Sequence, residues 1–335
     1  MPDYKAAIRY LTADGIGGPK LPFSKDLLRR FSPAIAQRAG SALIPYIPNS
    51  RWLGRGGTEP LGRLGELEVR LAASIMEVRR AQALRYRVFY EEMSAVPDLH
   101  ARQMRRDVDR FDRYCDHLLV LDHARKRFGF PPDIVGTYRL LRQDVAERNG
   151  GFYGEGEFDL APLLARKSAL RFLELGRSCV LPEYRNKRTL ELLWHGIWVY
   201  VLRHGLDVMI GCGSLTGTEP EQLALPLSFL HHSHRAPPEW SVAARDDRRI
   251  EMRRMPASAI DARAALRALP PLIKGYLRLG AFVGDGAVID WQFGTTDVAI
   301  VLPVAGIARR YVGHYGADAG RYAVRRVETA PLAVA

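Results

Sequence analysis

Glu174 and Arg177, in the run Glu174-Leu175-Gly176-Arg177-Ser178-Cys179-Val180, are charged residues set inside an otherwise strand-like segment. Residues three apart on a regular strand face opposite ways, so the two can serve one site only if a bulge, expected at Gly176, shifts the period. A second cluster, Asp107-Val108-Asp109-Arg110-Phe111-Asp112, gathers three carboxylates. A calcium loop requires Gly at its sixth position and Glu at its twelfth, and those positions hold Asp112 and Leu118. With Arg106, Arg110 and Arg113 close by, a charge network with arginines from elsewhere fits better than a metal ion, and none is expected. Arg185, Lys187 and Arg188 precede a helical pattern starting near Leu190. Basic side chains and free backbone N–H groups at a helix N-terminus favour a phosphate or pyrophosphate.

Two other motifs carry less. His117 and Asp122 match an H-x4-D spacing, but five apart on a strand they face opposite ways, so the carboxylate does not orient the imidazole. His231-His232-Ser233-His234 has no acid or cysteine at ligand spacing and reads as an exposed helix end. Cys115, Cys179 and Cys212 lack paired spacing, which excludes a disulfide framework and a zinc site.

The elements that must hold these residues follow from periodicity. Leu67, Val69 and Leu71 alternate with Glu68 and Arg70 as a half-buried strand. An apolar stripe over residues 74–92 predicts a helix capped by Ser74, with Glu77 three on. Further strands are predicted at 118–121, 134–141, 172–180, 208–215 and 298–302, and a long helix at 189–203. Gly150, Gly151, Gly154 and Gly156 make 143–168 read as a long loop, a lid or disordered, and the polar residues 235–262 as another excursion.

The chain of 335 residues is 47% hydrophobic, enough for one large core. Its 49 Lys and Arg against 37 Asp and Glu leave a net charge of +12, pointing to an acidic partner: nucleic acid, anionic headgroups or an acidic carrier protein. Residues 1–64 read as a basic arm, partly irregular, in which 24–36 could form a short cationic amphipathic helix, and residues 311–335 as a tail. Without a secretory signal or a spanning stretch, the expected location is cytoplasmic, with any membrane contact peripheral.

Arg85-Tyr86-Arg87-Val88-Phe89, the Asp107/Asp109/Asp112 set, Arg139-Leu140-Leu141 and Glu174 to Arg177 occur in the order found in acyl-homoserine-lactone synthases. From about Gly65 to Pro303 the chain more closely resembles the L-ornithine N-alpha-acyltransferase family, including Leu67 to Ala72 and Pro270-Pro271-Leu272-Ile273-Lys274-Gly275-Tyr276. The resemblance implies an α/β GNAT-like fold over residues 65–310, with a splayed mixed sheet flanked by helices and a bulge in the strand of Glu174. It implies transfer of a (3-hydroxy) fatty acyl chain to the α-amine of L-ornithine, at the inner face of the inner membrane, with no nucleic acid involved. The donor would be the 4'-phosphopantetheine arm of acyl carrier protein, with no bound cofactor.

On that resemblance Glu174 is the candidate base, and backbone N–H groups near the bulge stabilise the oxyanion. Arg85, Phe89, Asp107, Asp109, Asp112, Arg139 and Arg177 would bind the amino acid, the acids facing its amines and an arginine its carboxylate. Arg185, Lys187 and Arg188 would meet the carrier and its arm; this segment has Arg188 and Leu190 where the general GNAT phosphate loop has glycines, which favours a carrier-protein donor over free coenzyme A. Tyr200 is the only named option for protonating the leaving thiol. The alternatives are a lactone synthase using S-adenosylmethionine and a non-enzymatic basic membrane-binding protein.

Overall fold

A computed structural model of the chain describes residues 59–307, except 94 and 125–128, together with Tyr322. The 24–36 helix and most of the C-terminal tail therefore lie outside the described residues. The strands are β1 (Gly62–Leu64), β2 (Leu67–Leu71), β3 (Asp116–Asp122), β4 (Asp133–Arg142), β5 (Phe158–Asp159), β6 (Phe172–Val180), β7 (Val208–Thr216), β8 (Ala243–Ala244), β9 (Arg249–Ile250), β10 (Phe282–Asp290) and β11 (Thr295–Pro303). They form one mixed sheet in the order β1-β2-β3-β4-β6-β7-β11-β10-β8-β5, with β9 on β10. The helices are α1 (Ile75–Tyr86), α2 (Leu99–Met104), α3 (Gln143–Ala146), α4 (Ala161–Arg166), α5 (Lys187–His204), α6 (Ala224–His234), α7 (Ala262–Ala268) and α8 (Pro271–Leu279).

Helix α1 starts where Ser74 accepts a hydrogen bond from the Glu77 amide at 3.3 Å. It buries Val78, Ala81, Gln82 and Arg85, an i, i+3, i+4, i+7 set. It then widens into a π-helical turn, Arg87–Glu92, a distortion that re-aims side chains and recurs at functional sites. Helix α5 is capped by Asn186, which accepts from the Thr189 amide at 3.1 Å, and stops at Gly205, whose φ of 57° supplies a left-handed end.

The two long helices cover opposite faces. Gly196 of α5 lies against Val69 and Leu118. Arg85 of α1 meets Asp112, which neighbours His117, and Leu118 and His117 alternate along β3. His117 is in register with Arg139 on β4, and Leu141, two further on, with Glu174 on β6. Arg139 and Glu174 therefore share the α1 face.

Strands β6 and β7 pair in parallel from Phe172↔Val208 to Leu175↔Gly211, and there the pairing ends although both strands continue, to Val180 and Thr216. The sheet is splayed at its centre, as expected. Two expectations are corrected, and one strand goes unpredicted. Residues 143–168 are ordered into α3, β5, α4 and short 3-10 turns, with Phe152, Phe158 and Leu163 buried, because the glycines serve turns between apolar anchors. Residues 235–262 contribute β8 and β9 and bury Met252. Strand β10 has no simple alternation in sequence, since its register on β11 shifts between Val283 and Ala287. The sheet also begins at Gly62, within the expected arm, and Tyr322 of the expected tail stacks on His195 at 4.3 Å between ring centroids.

A Cβ on Gly196 would lie 2.6 Å from Val69 Cγ2, whereas one on Gly275 in α8 would meet nothing within 4 Å. Gly196→Val should therefore lower unfolding free energy by about 1–3 kcal/mol. Gly275→Ala should raise it by up to about 1 kcal/mol. Urea unfolding of both variants checks this.

Candidate active site

Three arginines and three aspartates close a buried network on the α1 face. The Arg85 guanidinium, 1% exposed, donates to both Asp112 oxygens at 2.9 and 2.8 Å and lies 2.7 Å from Asp107 Oδ2. Arg139 donates to both Asp109 oxygens at 2.7 and 2.6 Å. Arg177 is held more loosely, 3.3 Å from Asp107 and 3.4 Å from Asp109. Gln82 donates to Asp112 at 3.0 Å and Tyr90 to Asp107 at 3.0 Å, so the π-helical turn reaches into the cluster. Burial alone would raise the Asp112 pKa, but the adjacent Arg85 charge overrides it and holds the carboxyl well below the usual carboxylate range. Each of these carboxylates is turned to an arginine. Phe89 contributes an edge-on contact with Phe293, 5.5 Å between centroids.

The expected bulge is present, one residue beyond Gly176. Thr137↔Cys179 and Arg139↔Gly176 are paired, so Tyr138 faces both Arg177 and Ser178. Arg177 takes the left-handed conformation, φ 50°, uncommon for a non-glycine residue. Its guanidinium lies between the Tyr153 and Phe293 rings, 4.8 and 4.7 Å from their centroids. The bulge thus brings Arg177 to the face of Glu174.

Glu174 is 5% exposed and accepts hydrogen bonds from the amides of Tyr153 at 2.8 Å and Gly154 at 2.7 Å. A Cβ at residue 154 would lie 3.0 Å from Glu174 Oε1, so the close approach favours glycine. Burial pushes Glu174 up to about 7 against these two hydrogen bonds and the Arg139 charge, all three of which favour the carboxylate. A carboxyl with that pKa exchanges protons at neutral pH.

Sequence reasoning missed a second acidic group beside it. Glu157, Cys212 and Asp297 each place a ligand-type atom within 4.8 Å of the others. The Cys212 thiol donates to Glu157 Oε2 at 3.4 Å, and Asp297 Oδ1 is buried without a hydrogen-bond partner. Burial raises Glu157 to about 7 and Asp297 to about 6, and burial likewise raises the Cys212 thiol well above its ordinary value. The available signal was an acid inside the β11 pattern. A cavity of about 410 Å³ opens alongside, lined by residues including Phe111, Tyr153, Glu157 and Arg248; it meets this group at Glu157 and does not reach Glu174 or Arg177.

The remaining expected residues lie elsewhere. Arg185 pairs with Glu92 of the π-helical turn and donates to the Val180 carbonyl at 2.9 Å. Lys187 is 82% exposed beside Glu191, and Arg188 donates to the Leu64 carbonyl at 3.4 Å. The three side chains therefore do not converge on one point. Tyr200 donates to Asp116 at 2.6 Å on the α5 face, opposite Glu174, which removes it as a thiol acid near that carboxyl. His117 binds the Asp112 carbonyl and Asp122 accepts from Tyr184, so they are not a dyad. His232 and His234 are half-buried rather than exposed, with His232 bonded to the Met255 carbonyl at 3.0 Å.

Residues 84–195 match the acetyltransferase (GNAT) domain family. The chain is 58% identical over 265 residues to the L-ornithine N(alpha)-acyltransferase of Rhizobium meliloti (strain 1021), covering 79% of this chain and 89% of that protein. It is 41% identical over 248 residues to the protein of the same name from Rhodobacter capsulatus, covering 74% and 94%. Among solved structures, the N-acyl amino acid synthase FeeM from uncultured soil microbes is similar at 13% identity and a TM-score of 0.41, over 71% of this chain and 91% of that one.

Asp112→Asn would leave Arg85 and Arg139 buried short of a counter-charge, and should destabilise the fold by about 3–5 kcal/mol. Because the folded Asp109 and Asp112 pKa values are depressed, the stability they give is present above the unfolded carboxylate range and lost as pH falls below it. Urea titrations at pH 6 and pH 3 should show wild type converging on the variant at the lower pH.

Proposed function

Because this chain belongs to the L-ornithine N(alpha)-acyltransferase family, we propose that it moves a fatty acyl chain, 3-hydroxylated in its natural form, from acyl carrier protein to the α-amine of L-ornithine, forming lyso-ornithine lipid. The observation that carries the reading is the break in pairing between β6 and β7 beside a buried carboxyl that titrates near neutrality. A slot between two central strands gives an extended phosphopantetheine arm backbone groups to bind. Glu174 stands one residue before Leu175, where the pairing ends.

In the proposed reaction the α-ammonium gives a proton to Glu174, directly or through water, and the neutral amine attacks the thioester carbonyl carbon. Backbone N–H groups at the Arg177 bulge stabilise the oxyanion, worth about 3 kcal/mol per donor. Collapse forms the amide and breaks the C–S bond, and the thiol leaves with a proton. Arg177 is the network member offered to the ornithine carboxylate. It is the most exposed of the three arginines, at 12%, and the most weakly paired. The other network residues hold it in place. Lys187 and Arg188 lie on the surface, where an acidic carrier protein could meet them.

Contact with an anionic membrane surface has its own support. Val96, Leu99 and Trp291 are 62%, 76% and 70% exposed, and the Val96 amide donates to the Gln292 carbonyl at 2.7 Å, tying the two loops together. Thr295, just past Trp291, is in register with Thr216, so these loops stand at the end of the sheet where β6 and β7 part. An acyl chain could pass there from lipid-like surroundings to the slot. Among the described residues no helix is long and apolar enough to cross a membrane.

Following release of carrier thiol from 3-hydroxyacyl carrier protein, wild type should turn over with ornithine, and Glu174→Gln should lose about 100-fold or more in kcat with its fold intact. The wild-type rate should rise with pH through an inflection near 7, as Glu174 loses its proton, and the variant should lack that limb. A near-normal variant rate would remove the base assignment, and thiol release only with S-adenosylmethionine would favour the lactone synthase. Trp291→Ala should bind anionic vesicles several-fold more weakly in a sedimentation assay, and unchanged binding would move the membrane contact elsewhere.

A further inference from the structure

The acids of this protein fall into two groups that burial treats differently. Asp107, Asp109 and Asp112 are met by three arginines. Glu157 and Asp297, 5% and 6% exposed, form no ion pair among the described residues, and Asp297 Oδ1 lacks even a hydrogen bond. Two carboxyls buried together with no cation in direct contact are costly unless they stay protonated or a cation joins them. The group lies beside the proposed base: a Cβ on Gly154 would be 3.0 Å from Glu174 Oε1 and 3.9 Å from Cys212 Sγ. It also meets the 410 Å³ cavity at Glu157, the one member of the group that lines it.

We infer that Glu157 and Asp297, with Cys212 packed against them, are the seat of the acceptor's side-chain ammonium, so that the enzyme selects a diamino acid by its distal charge. The inference rests on the acyltransferase reading for the identity of the acceptor. The distal ammonium of ornithine is a compact cation at neutral pH with three donors, and the two carboxyls and the unused Asp297 oxygen offer the matching acceptors. Bound there, that amine keeps its proton and is no nucleophile, which leaves the α-amine to react near Glu174. A divalent metal is the competing occupant, since a bound cation would take the Cys212 proton's place and turn the thiolate and two carboxylates to itself.

Charge linkage gives the sign of the pH effect. Asp297, Asp290 and Arg248 surround Glu157 together with Cys212; Thr295, Ser214, Asp290 and Arg177 surround Asp297. With the two carboxyls raised to about 7 and about 6, an entering ammonium displaces protons, and affinity should rise between pH 6 and pH 8.

Norvaline, identical to ornithine except for the missing distal amine, provides the test. By titration calorimetry and by carrier-thiol release, wild type should prefer ornithine over norvaline by about 100-fold or more. Asp297→Asn and Glu157→Gln should each shrink that ratio by about 10-fold or more, chiefly through KM, while removing a desolvated carboxyl should raise their melting temperature above pH 7. Equal use of the two amino acids by wild type would overturn the seat without touching the acyl-transfer reading, and needs no variant. Discrimination in binding with no thiol release would do the reverse. Stoichiometric divalent metal in the purified protein, lost in both variants, would also overturn the inference by giving the group to the metal.

Discussion

The bulge at Arg177 is the constraint on which the rest of the site depends. One extra residue in β6 is accommodated against β4 at Tyr138, just past Leu175, where the pairing with β7 ends. The same extra residue shifts the side-chain period, so that Arg177 falls on the face of Glu174. Holding a non-glycine residue at φ 50° is unfavourable by itself, and the surroundings over-determine it: two aspartates draw the guanidinium inward, and two aromatic rings sandwich it. The buried ion network is then best understood as the fixture for that bulge. It joins α1, the π-helical turn, the Asp107–Asp112 segment and β4 to a single residue of β6. Desolvation of its charges offsets much of their mutual attraction, so the network is weak evidence of net stability.

Tyr153 and Gly154 connect this fixture to the carboxyl. Their amides hold Glu174, while the Tyr153 ring covers Arg177. Two features that are separate in sequence, the glycine-rich stretch and the charged strand, therefore form one device. Glu157, three residues after Gly154, extends it toward Cys212 and Asp297. The result is a line of carboxyls in which burial, rather than pairing, sets the proton affinity.

Much of this was legible in the sequence, and the boundary has physical reasons. Charges in an apolar strand have few explanations, so Glu174 and Arg177 announced the bulge. The order of Arg85, the three aspartates and Arg139 announced the network but not its direction. Whether an acid faces a ligand or an arginine depends on the turn of α1 and the register of β3 on β4, which spacing does not contain. Residues 143–168 read as a loop because glycines outweigh periodicity there; Phe152, Phe158 and Leu163 anchor it by contacts made at long range. Glu157, Cys212 and Asp297 come from three elements that only the β7–β11 pairing and the 143–168 excursion bring together.

In the proposed reaction the ornithine α-amine is the nucleophile and carrier protein the source of the acyl group. Tandem mass spectrometry of the product formed from purified protein, acyl carrier protein loaded with a 3-hydroxyacyl chain, and ornithine tests both at once. The expected result is one lipid product bearing the acyl group on the α-nitrogen, formed much faster than with the matching coenzyme A thioester. Acylation on the distal nitrogen, a mixture of the two, or equal rates from both donors would contradict it.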